Sequence, residues 1–538
     1  MTQLQSLQAV PSSGRRSFTL QVRDKLGQGQ KAVYSSQEPG GIARGFASRR
    51  YPSGTCGPLT FQGKPSELDI ENGDITYLSY DTGQRVIPVH MGVVVLAPFE
   101  DGPEWGTYEV ASGKKLLERS VCGADADIFW ATEADIAATL HLLIQDYRHP
   151  ALKYDGSSIS ISFGVVVRSF DARGTNLDEA IKAALKAVPA ISDNDWGVGP
   201  LGNVIIRPPE GVVTLPYRQV KAQFGGSISS DEVVTKATIR VANAVSEGAI
   251  VSAGYKPSLI TYSYEAPEHR LWGAERSFDL EKTDDGRAVI DVLIDTPSTG
   301  LGYGSGVNGW QASTAEVYKA VADGNLETYI YPGSSNPGLL AITAFKGEDF
   351  AGSAFAIDAP PGAYEIRLEI FYQYSPNQGG SNRETKETVK FDLSRIKGLG
   401  KIRIPSIAPM AVGAANIVNV NFVYAGSLPT SLKIYEFRSL QANTTLLDKI
   451  ARAQIKLPAR ELAEIECAYG PEGENGSLLE RVGKTFVAEG APTPITGTIA
   501  EIVDTFNTED GMRSRIALGE PVRDPVVKSI QRFVRGTT

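Results

Sequence analysis

Apolar and polar residues alternate along most of this chain, which is the pattern of half-buried β-strands. Clusters of Gly, Pro, Asn and Asp interrupt the alternation at short intervals, and such clusters are typical of turns. The pattern therefore predicts a mainly β protein built from sandwiches or barrels. The clearest predicted strands lie at 17–22, 85–98, 158–170, 235–245, 287–295, 364–374 and 416–426.

Three segments have the 3.6-residue spacing of helices instead. Thr132 caps the first, with Asp135 in its first turn, and Asn176 caps the second, with Glu179 completing a capping box. The third covers about 445–456 and stops before Pro458. The apolar faces comprise Ile136, Leu140, Leu143 and Tyr147 in the first helix, Leu177, Ile181, Leu185 and Val188 in the second, and Leu447, Ile450 and Ile455 in the third.

Two alternating runs flank a short polar turn in "GTIAEIVDTFNTEDGMRSRIALGE", residues 497–520. This arrangement predicts a β-hairpin.

The composition shifts twice in the second half of the chain. Residues 298–306, "STGLGYGSG", are glycine-rich and predict a flexible connector. Residues 439–444, "SLQANT", precede the third helix. The block between these points consists almost wholly of strand and turn patterns, so it is predicted to be an inserted β domain.

Bulk composition narrows the class of protein. The length of 538 residues suggests three or four domains, and 42% hydrophobic residues can form ordinary cores. A formal charge of −9 disfavours a surface that coats nucleic acid. Cys56, Cys122 and Cys467 are too few and too widely spaced for a disulfide framework. The start of the chain lacks the apolar core of a signal peptide, and no apolar run is long enough to span a membrane.

Motifs for catalysis or metal binding are weak. The four histidines, His90, His141, His149 and His269, show no zinc-ligand spacing. No GxSxG occurs in a strand–turn–helix context, and "GYGSG" lacks the Lys-Ser/Thr of a phosphate loop. Carboxylates are plentiful, but the sequence does not show which two would be correctly separated for glycoside hydrolysis. We therefore expect a protein that is not an enzyme.

Three stretches together resemble the hub proteins at the distal end of phage tails, the family that includes baseplate hubs and siphophage tail-associated proteins. The first, 40–150, contains "GDITYLSYDTGQRVIPVHMGVVVLAP", "YEVASGKKLLERSVC" and "DYRHPAL". The second, 176–209, contains "WGVGPLGNVIIRPP", in which Trp196 to Ile205 resemble a recurrent hairpin. The third, 446–520, ends in the hairpin described above.

The resemblance implies a mainly β fold with two tail-tube-like β-barrels, small α+β elements and an inserted jelly-roll sandwich of the galactose-binding type. The implied units are an arm at 1–16, barrel 1 at 17–130, an α+β domain at 131–234, the first part of barrel 2 at 235–300, the sandwich at 301–440, the closing part of barrel 2 at 441–520 and a tail at 521–538. In this implied fold the hairpin at 497–520 supplies the closing strands of barrel 2 and pairs with strands around 235–254.

The resemblance also implies a location and partners. Three copies would form a ring at the tail tip of the virion, with six barrels around the DNA channel, and DNA would pass without specific binding. The ring would contact the distal tail or tube ring proteins, the tape-measure protein and tail fibre or spike proteins. It would open for genome ejection after adsorption, by rearrangement of its subunits. No cofactor is implied for the ring itself.

The inserted block resembles discoidin-type, galactose-binding-like sandwiches at "STAEVYKAVADGNLETYIYPG", residues 313–333. Asp323, Gly324, Asn325 and Thr328 match the structural turn of that family, whereas Ile330 stands where its tryptophan is expected. Some members bind Ca²⁺ near this turn, so a Ca²⁺ ion is the one metal that the resemblance leaves open.

Exposed aromatic rings in the insert would suit a host surface glycan, because sugar faces stack on such rings. The candidates are Trp310, Tyr329 and Tyr331, and for Trp310 both core packing and ligand contact stay open. Tyr372 and Tyr374 alternate within a predicted strand and suit the sandwich core. Two other functions also stay open, namely a carbohydrate-binding or glycan-degrading protein and the hub of a bacterial secretion or injection particle.

Overall fold

The computed structural model describes the greater part of the chain in separate stretches. These are residues 17–36, 45–81, 86–99, 104–123, 125–160, 162–191, 193, 195–216, 220–224, 234–242, 259–267, 275–282, 289–290, 292–295, 301–303, 310–312, 330–332, 338–344, 354–359, 365–374, 383–392, 398–403, 415–424, 431–437, 439–455, 463–468, 483–490, 495–507 and 511–518.

The first seven strands pair in antiparallel fashion and share one apolar face. Aromatic rings fill this face, with Phe18 stacked on Tyr80 at 4.6 Å and Phe61 stacked on Tyr108 at 4.8 Å between ring centroids. Alternate residues of each strand point into this core, as the sequence pattern predicts. The strands are β1 (Ser17–Arg23), β2 (Gln30–Ser35), β3 (Phe46–Arg50), β4 (Cys56–Gly63), β5 (Ile75–Asp81), β6 (Val86–Leu96) and β7 (Gly106–Ser112).

A compact helical unit follows. Its helices pack into a second core, which also contains the apolar residues of two short strand pairs. The elements are α1 (Lys115–Glu118), β8 (Asp127–Asp135), α2 (Ile136–Tyr147), β9 (Val166–Asp171), α3 (Leu177–Leu185), β10 (Trp196–Val198) and β11 (Val204–Ile206). The predicted hairpin at 196–205 is confirmed, because β10 and β11 pair antiparallel.

The helix caps are partly as predicted. Asn176 caps α3, and its side chain accepts a hydrogen bond from the Glu179 backbone N–H at 2.8 Å. Helix α2 begins later than predicted, because Thr132 lies within β8 and Asp135 is the capping residue. The pairing of β8 with β9 therefore overrides the local helix-start signal at Thr132.

The chain next forms six strands that lead towards the insert. Strand β14 lies between β15 and β16 in a three-stranded sheet of its own. The strands are β12 (Val212–Pro216), β13 (Val220–Phe224), β14 (Lys236–Ala242), β15 (Leu259–Glu265), β16 (Glu275–Asp279) and β17 (Leu293–Asp295).

The insert consists of two five-stranded sheets, which confirms the predicted β-sandwich. The first has the order β18-β21-β26-β23-β24, and the second has the order β19-β20-β27-β22-β25. Strand β18 lies within the glycine-rich stretch 298–306, so three residues of the predicted connector pair with β21. The strands are β18 (Leu301–Tyr303), β19 (Trp310–Ala312), β20 (Ile330–Pro332), β21 (Gly338–Ala344), β22 (Ala354–Ala359), β23 (Glu365–Tyr374), β24 (Arg383–Asp392), β25 (Gly398–Arg403), β26 (Ala415–Tyr424) and β27 (Lys433–Phe437).

The chain leaves the insert beside the strand by which it entered. Strand β28 (Ser439–Ala442) pairs antiparallel with β17, with Leu293 opposite Ala442. The remaining elements are α4 (Thr444–Ala453), β29 (Ala463–Ala468), β30 (Thr485–Glu489), β31 (Ile495–Asn507) and β32 (Gly511–Leu518). The predicted C-terminal hairpin is confirmed as β31 and β32.

The largest sheet has 13 strands and joins both halves of the chain. Its order is β13-β29-β32-β31-β3-β4-β7-β6-β5-β1-β2, and β30 links β31 to β12. The hairpin thus pairs with β3 near the start of the chain. The prediction that it pairs with strands around 235–254 is wrong, because both edges of β14 are already occupied by β15 and β16.

The mainly β fold is confirmed, but the division into two separate barrels needs correction. Strands predicted for barrel 1 and for the closing part of barrel 2 lie in the same sheet. Among the described strands this sheet does not close on itself, since β2 and β13 each form an edge. The hairpin occupies the edge of β3, so the N-terminal strands and the hairpin bury one another's backbone groups.

Candidate functional site

The two distant halves of the chain meet where β3 pairs with β31. Ser48 lies opposite Asp504, and Asp504 lies opposite Ser514 on β32, so one polar row crosses three strands. Arg50 extends along β3 to Asp504, and its Nε and Nη2 atoms each lie 2.8 Å from Oδ2. The Ser514 hydroxyl donates a hydrogen bond to the other carboxylate oxygen. We call Arg50, Asp504 and Ser514 the closure junction.

The closure junction is removed from water. The Asp504 side chain is 0% exposed and that of Arg50 is 9% exposed. A buried charge is costly unless a partner and hydrogen bonds compensate it, and here each charge supplies that compensation to the other. The junction therefore ties the register of β3 to that of the hairpin.

A second ion pair lies beside the closure junction. Arg49 Nε is 3.3 Å from Glu501 Oε1, and the Glu501 side chain is largely buried. Burial raises the pKa of the neighbouring Tyr51 phenol, and the negative charge of Glu501 raises it further. Charged side chains on both faces of β3 thus contact β31.

Lys114 contacts two side chains of the helical unit. It lies two residues after the end of β7, and its ammonium group is 3.3 Å from the ring centroid of Trp196 on β10, a cation–π geometry. The same nitrogen is 3.8 Å from Asp178 Oδ1 at the start of α3, and that carboxylate also pairs with Lys182. Burial lowers the pKa of Lys114 to about 8, although Asp178 acts in the opposite direction.

His90 is a fully buried titratable group in β6. Its Nε2 donates to the Gly57 carbonyl oxygen at 2.7 Å, while Nδ1 has no hydrogen-bond partner among the described residues. Burial lowers the pKa of His90 to about 4, which the Gly57 hydrogen bond only partly offsets. His90 is therefore neutral at pH 7 and has a packing role.

The described parts of the chain offer no chemistry for metal binding. They contain no group of three or more His, Cys, Asp or Glu side chains arranged to hold a metal ion. Cys56 and Cys122 are free thiols in these parts, and burial raises the pKa of Cys56 to about 11. None of the helices described is long and apolar enough to cross a membrane.

Two of the predicted glycan-binding residues lie on paired strands of the insert. Trp310 is opposite Pro332, and Tyr331 is opposite Gln311. The two aromatic positions are therefore offset by one residue along the ladder, and positions with that offset belong to opposite faces of a sheet. In this register the two positions do not form one surface on which a sugar could stack.

The other predicted residues of the insert fall outside the described part of the chain. These are Tyr329, Asp323, Gly324, Asn325 and Thr328. The two tyrosines expected in the core, Tyr372 and Tyr374, lie in β23, which pairs with both β24 and β26.

Sequence reasoning missed the closure junction and the Lys114 cluster. A signal for the junction was present, because Arg50 and Asp504 occupy positions in phase with the buried Phe46 and Ile502. A charged residue in the apolar phase of a strand needs a buried partner. The identity of that partner could not be predicted, since Arg50 and Asp504 are 454 positions apart.

Comparisons with known proteins give structural likeness at low similarity. No protein-family model matches this chain, and no curated protein matches it. The 43 kDa tail protein of prophage MuSo2 from Shewanella oneidensis is 9% identical with a TM-score of 0.39, and the alignment covers 94% of this chain and 99% of that one. The tail protein from Neisseria meningitidis MC58 is 7% identical with a TM-score of 0.39, covering 94% and 96%.

Part of the chain is also similar to a carbohydrate-binding domain. The family 11 carbohydrate-binding module from Clostridium thermocellum, solved with a β-1,3-1,4-mixed-linked tetrasaccharide, is 13% identical with a TM-score of 0.16. The alignment covers 27% of this chain and 94% of the module. At TM-scores this low, function has to be argued from the residues of this chain.

Proposed function

We propose that this protein is a structural hub at the distal end of a phage tail. Three copies form a ring around the DNA channel and link the tube and distal tail rings to receptor-binding or spike proteins. The ring opens for genome ejection through rearrangement of its subunits. The role is mechanical, and the chain is not an enzyme.

The observation that carries this proposal is the interleaved sheet. Residues 46–63 and 485–518 contribute to the same sheet, and the buried Arg50–Asp504 pair fixes their register. The strands of the helical unit and of the insert belong to other sheets. Such an arrangement suits a load-bearing core, because pulling on the inserted domain does not separate the strands of the core.

The edges of the same sheet support the proposal of a ring. Strands β2 and β13 each have one unpaired edge among the described strands. An unpaired edge is a template for another strand. When the β2 edge of one copy contacts the β13 edge of the next, the contact is heterologous, and it closes into a ring if the rotation per copy is one third of a turn. The formal charge of −9 suits a channel that DNA crosses without being held.

The insert projects from the hub and contacts either a host surface glycan or a tail fibre. Its two ends meet at the β17–β28 pair, and strand β25 of the sandwich also lies against β8 of the helical unit. Trp310, Tyr329 and Tyr331 are the aromatic candidates for sugar stacking. The register of β19 and β20 makes Trp310 and Tyr331 separate contributors, to be tested one at a time.

Solution mass is the direct test of the hub. We expect light scattering on the purified chain to give three times the monomer mass of 57.7 kDa. Negative-stain images should show a threefold ring with three outlying lobes. Incubation with cell-wall and polysaccharide substrates should release no product.

A monomer that turns over a polysaccharide would overturn the proposal. It would favour the alternative, a glycan-degrading protein whose functional core is the sandwich. A trimer without turnover supports the hub, and substitution of β2 residues then identifies the edge used. Val33→Lys places a charge at an exposed position of β2 and is expected to weaken the trimer.

A further inference from the structure

A polar groove lies where the turn between β3 and β4 meets two connectors of the helical unit. It encloses about 270 Å³. Ser53 comes from the turn, Ser157 and Ser160 come from the connector before β9, and Arg207 and Glu210 come from the segment after β11. Three prolines and one isoleucine complete the lining.

The walls of the groove are held by backbone hydrogen bonds. The Gly54 N–H donates to the Tyr51 carbonyl at 2.9 Å, which closes the turn that carries Ser53. The Ile206 N–H donates to the Ser158 carbonyl at 2.9 Å, which joins the other two walls. Ser157 donates from both its backbone N–H and its hydroxyl to Asp155 Oδ1. The groove is therefore preformed, as small-molecule sites usually are.

The hydrogen-bonding groups of the groove select a class of ligand. Arg207 can only donate, the Glu210 carboxylate accepts, and the Ser160 hydroxyl can do both. The Ser53 hydroxyl is already hydrogen-bonded to the Thr55 hydroxyl at 3.1 Å, and the Ser157 hydroxyl donates to Asp155. Arg207 attracts an anion that Glu210 repels, and the reverse holds for a cation, so the two charges offset each other and a neutral polar ligand fits the groove. A ligand with many hydroxyl groups satisfies donors and acceptors together, and the proline rings offer apolar contact to its C–H groups.

Size narrows the ligand further. Pockets for drug-sized molecules have volumes of roughly 300 to 1,000 Å³, and this groove lies just below that range. We propose that the groove binds a neutral carbohydrate of one or two sugar rings. This site is separate from the insert, and no aromatic ring lines it. It does not depend on the hub function.

Saturation-transfer NMR on the full chain tests the site. The probes are glucose, galactose, mannose and N-acetylglucosamine, each at about 10 mM, a concentration that detects millimolar dissociation constants. We expect saturation transfer to at least one sugar. Arg207→Ala and Glu210→Ala should each weaken that binding by about tenfold, because each removes charge-assisted hydrogen bonds.

Three variants make the result specific. Ser160→Trp fills the groove without removing a charge and should abolish the binding. Arg119→Ala removes an exposed arginine that does not line the groove and should leave the affinity unchanged. A Trp310→Ala/Tyr331→Ala double variant should also retain the binding, which separates the groove from the insert. Melting curves confirm that each variant is folded.

Several outcomes would overturn the proposal. Absence of transfer to all four sugars is one, and loss of transfer only in the Trp310/Tyr331 variant is another. Displacement of the bound sugar by inorganic phosphate would identify an anion site instead. The mass measurement for the hub is independent of all these outcomes, so the two proposals fail or stand separately.

Discussion

Arg50 and Asp504 illustrate how much a single pair of side chains contributes at a buried strand junction. Their attraction in a medium of low polarity offsets the loss of hydration, and Ser514 satisfies part of the remaining hydrogen-bonding capacity of the carboxylate. A pair of this kind adds little net stability compared with apolar residues of the same size. Its loss is costly because the remaining partner is then a buried, uncompensated charge.

We expect Arg50→Met to lower the free energy of opening at this junction by about 3 to 5 kcal/mol, because Asp504 is left without its cation. Hydrogen exchange of peptides covering 46–50 and 499–507 measures that free energy directly. Combining Arg50→Met with Asp504→Leu should recover much of the loss. Recovery should be incomplete, since the Ser514 hydroxyl loses its acceptor.

The matched control is Lys115→Met, which removes one partner of the half-exposed pair with Glu118. Surface pairs contribute at most about 1 kcal/mol, so this variant should have little effect on exchange. Equal effects of Arg50→Met and Lys115→Met would contradict the importance assigned to the closure junction.

His90 makes the large sheet sensitive to acid. Its pKa in the folded protein is about 4, below the usual value of 6.5, so the unfolded chain takes up the proton first. The contribution to stability is complete above pH 6.5 and is lost as the pH falls towards 4. Between pH 7 and pH 5 the loss is about 2 kcal/mol.

The His90→Gln variant keeps a donor for the Gly57 carbonyl but cannot titrate. We expect its melting temperature to fall less than that of the wild type when the pH changes from 7 to 5. His141→Gln, at a half-exposed position of α2, should keep the acid dependence of the wild type. An unchanged acid dependence in His90→Gln would exclude His90 as its source.

The element that defines the insert is the strand pair at its base. Strands β17 and β28 hold the two ends side by side, and both continue into anchored structure. The Asn443 N–H donates to the Val292 carbonyl at 2.6 Å, and Asn443 then caps α4. On the other side, the Asp171 N–H donates to the Val289 carbonyl. The base of the insert therefore belongs to the helical unit.

This geometry predicts that the insert can be removed with the loss of one further contact, that of β25 with β8. Replacing residues 296–438 by an Asn-Gly turn should join β17 to β28 as a tight hairpin. We expect the remaining chain to fold, to keep its oligomeric state and to show unchanged hydrogen exchange in the peptides around 46–50. Replacement of residues 270–438 is a suitable contrast, because it also removes β16 and β17. Misfolding of the first deletion would show that the rest of the chain needs the sandwich to fold.

Local signals predicted elements better than they predicted partners. The α3 cap depends on Asn176 and Glu179, which are neighbours in sequence, and it was predicted correctly. The terminal hairpin was also found, because its turn and its alternation are local. Its partner β3 was not found, since any alternating strand with a free edge satisfies the same pattern. Only the complete structure shows that both edges of β14 are occupied.

At the scale of the whole molecule, strands from the first and the last part of the chain form one large sheet. The helical unit and the insert are formed by the segments between them. The mainly β class and the sandwich followed from the period-two pattern. The groove between Ser53, Ser160 and Arg207 could not be predicted, because it forms only where three separate segments meet. Sites of this kind depend on tertiary packing, so no characteristic spacing of residues marks them in the sequence.

The pairing of β3 with β31 also means that the large sheet is completed late in biosynthesis. Ribosomes add about 5 to 20 residues per second, so a separation of 454 positions corresponds to roughly 20 to 90 s of translation. During that interval the emerging β3 strand has an open edge, and Arg50 has no counter-ion. We expect a nascent chain in this condition to be prone to aggregation until the last strands have left the exit tunnel.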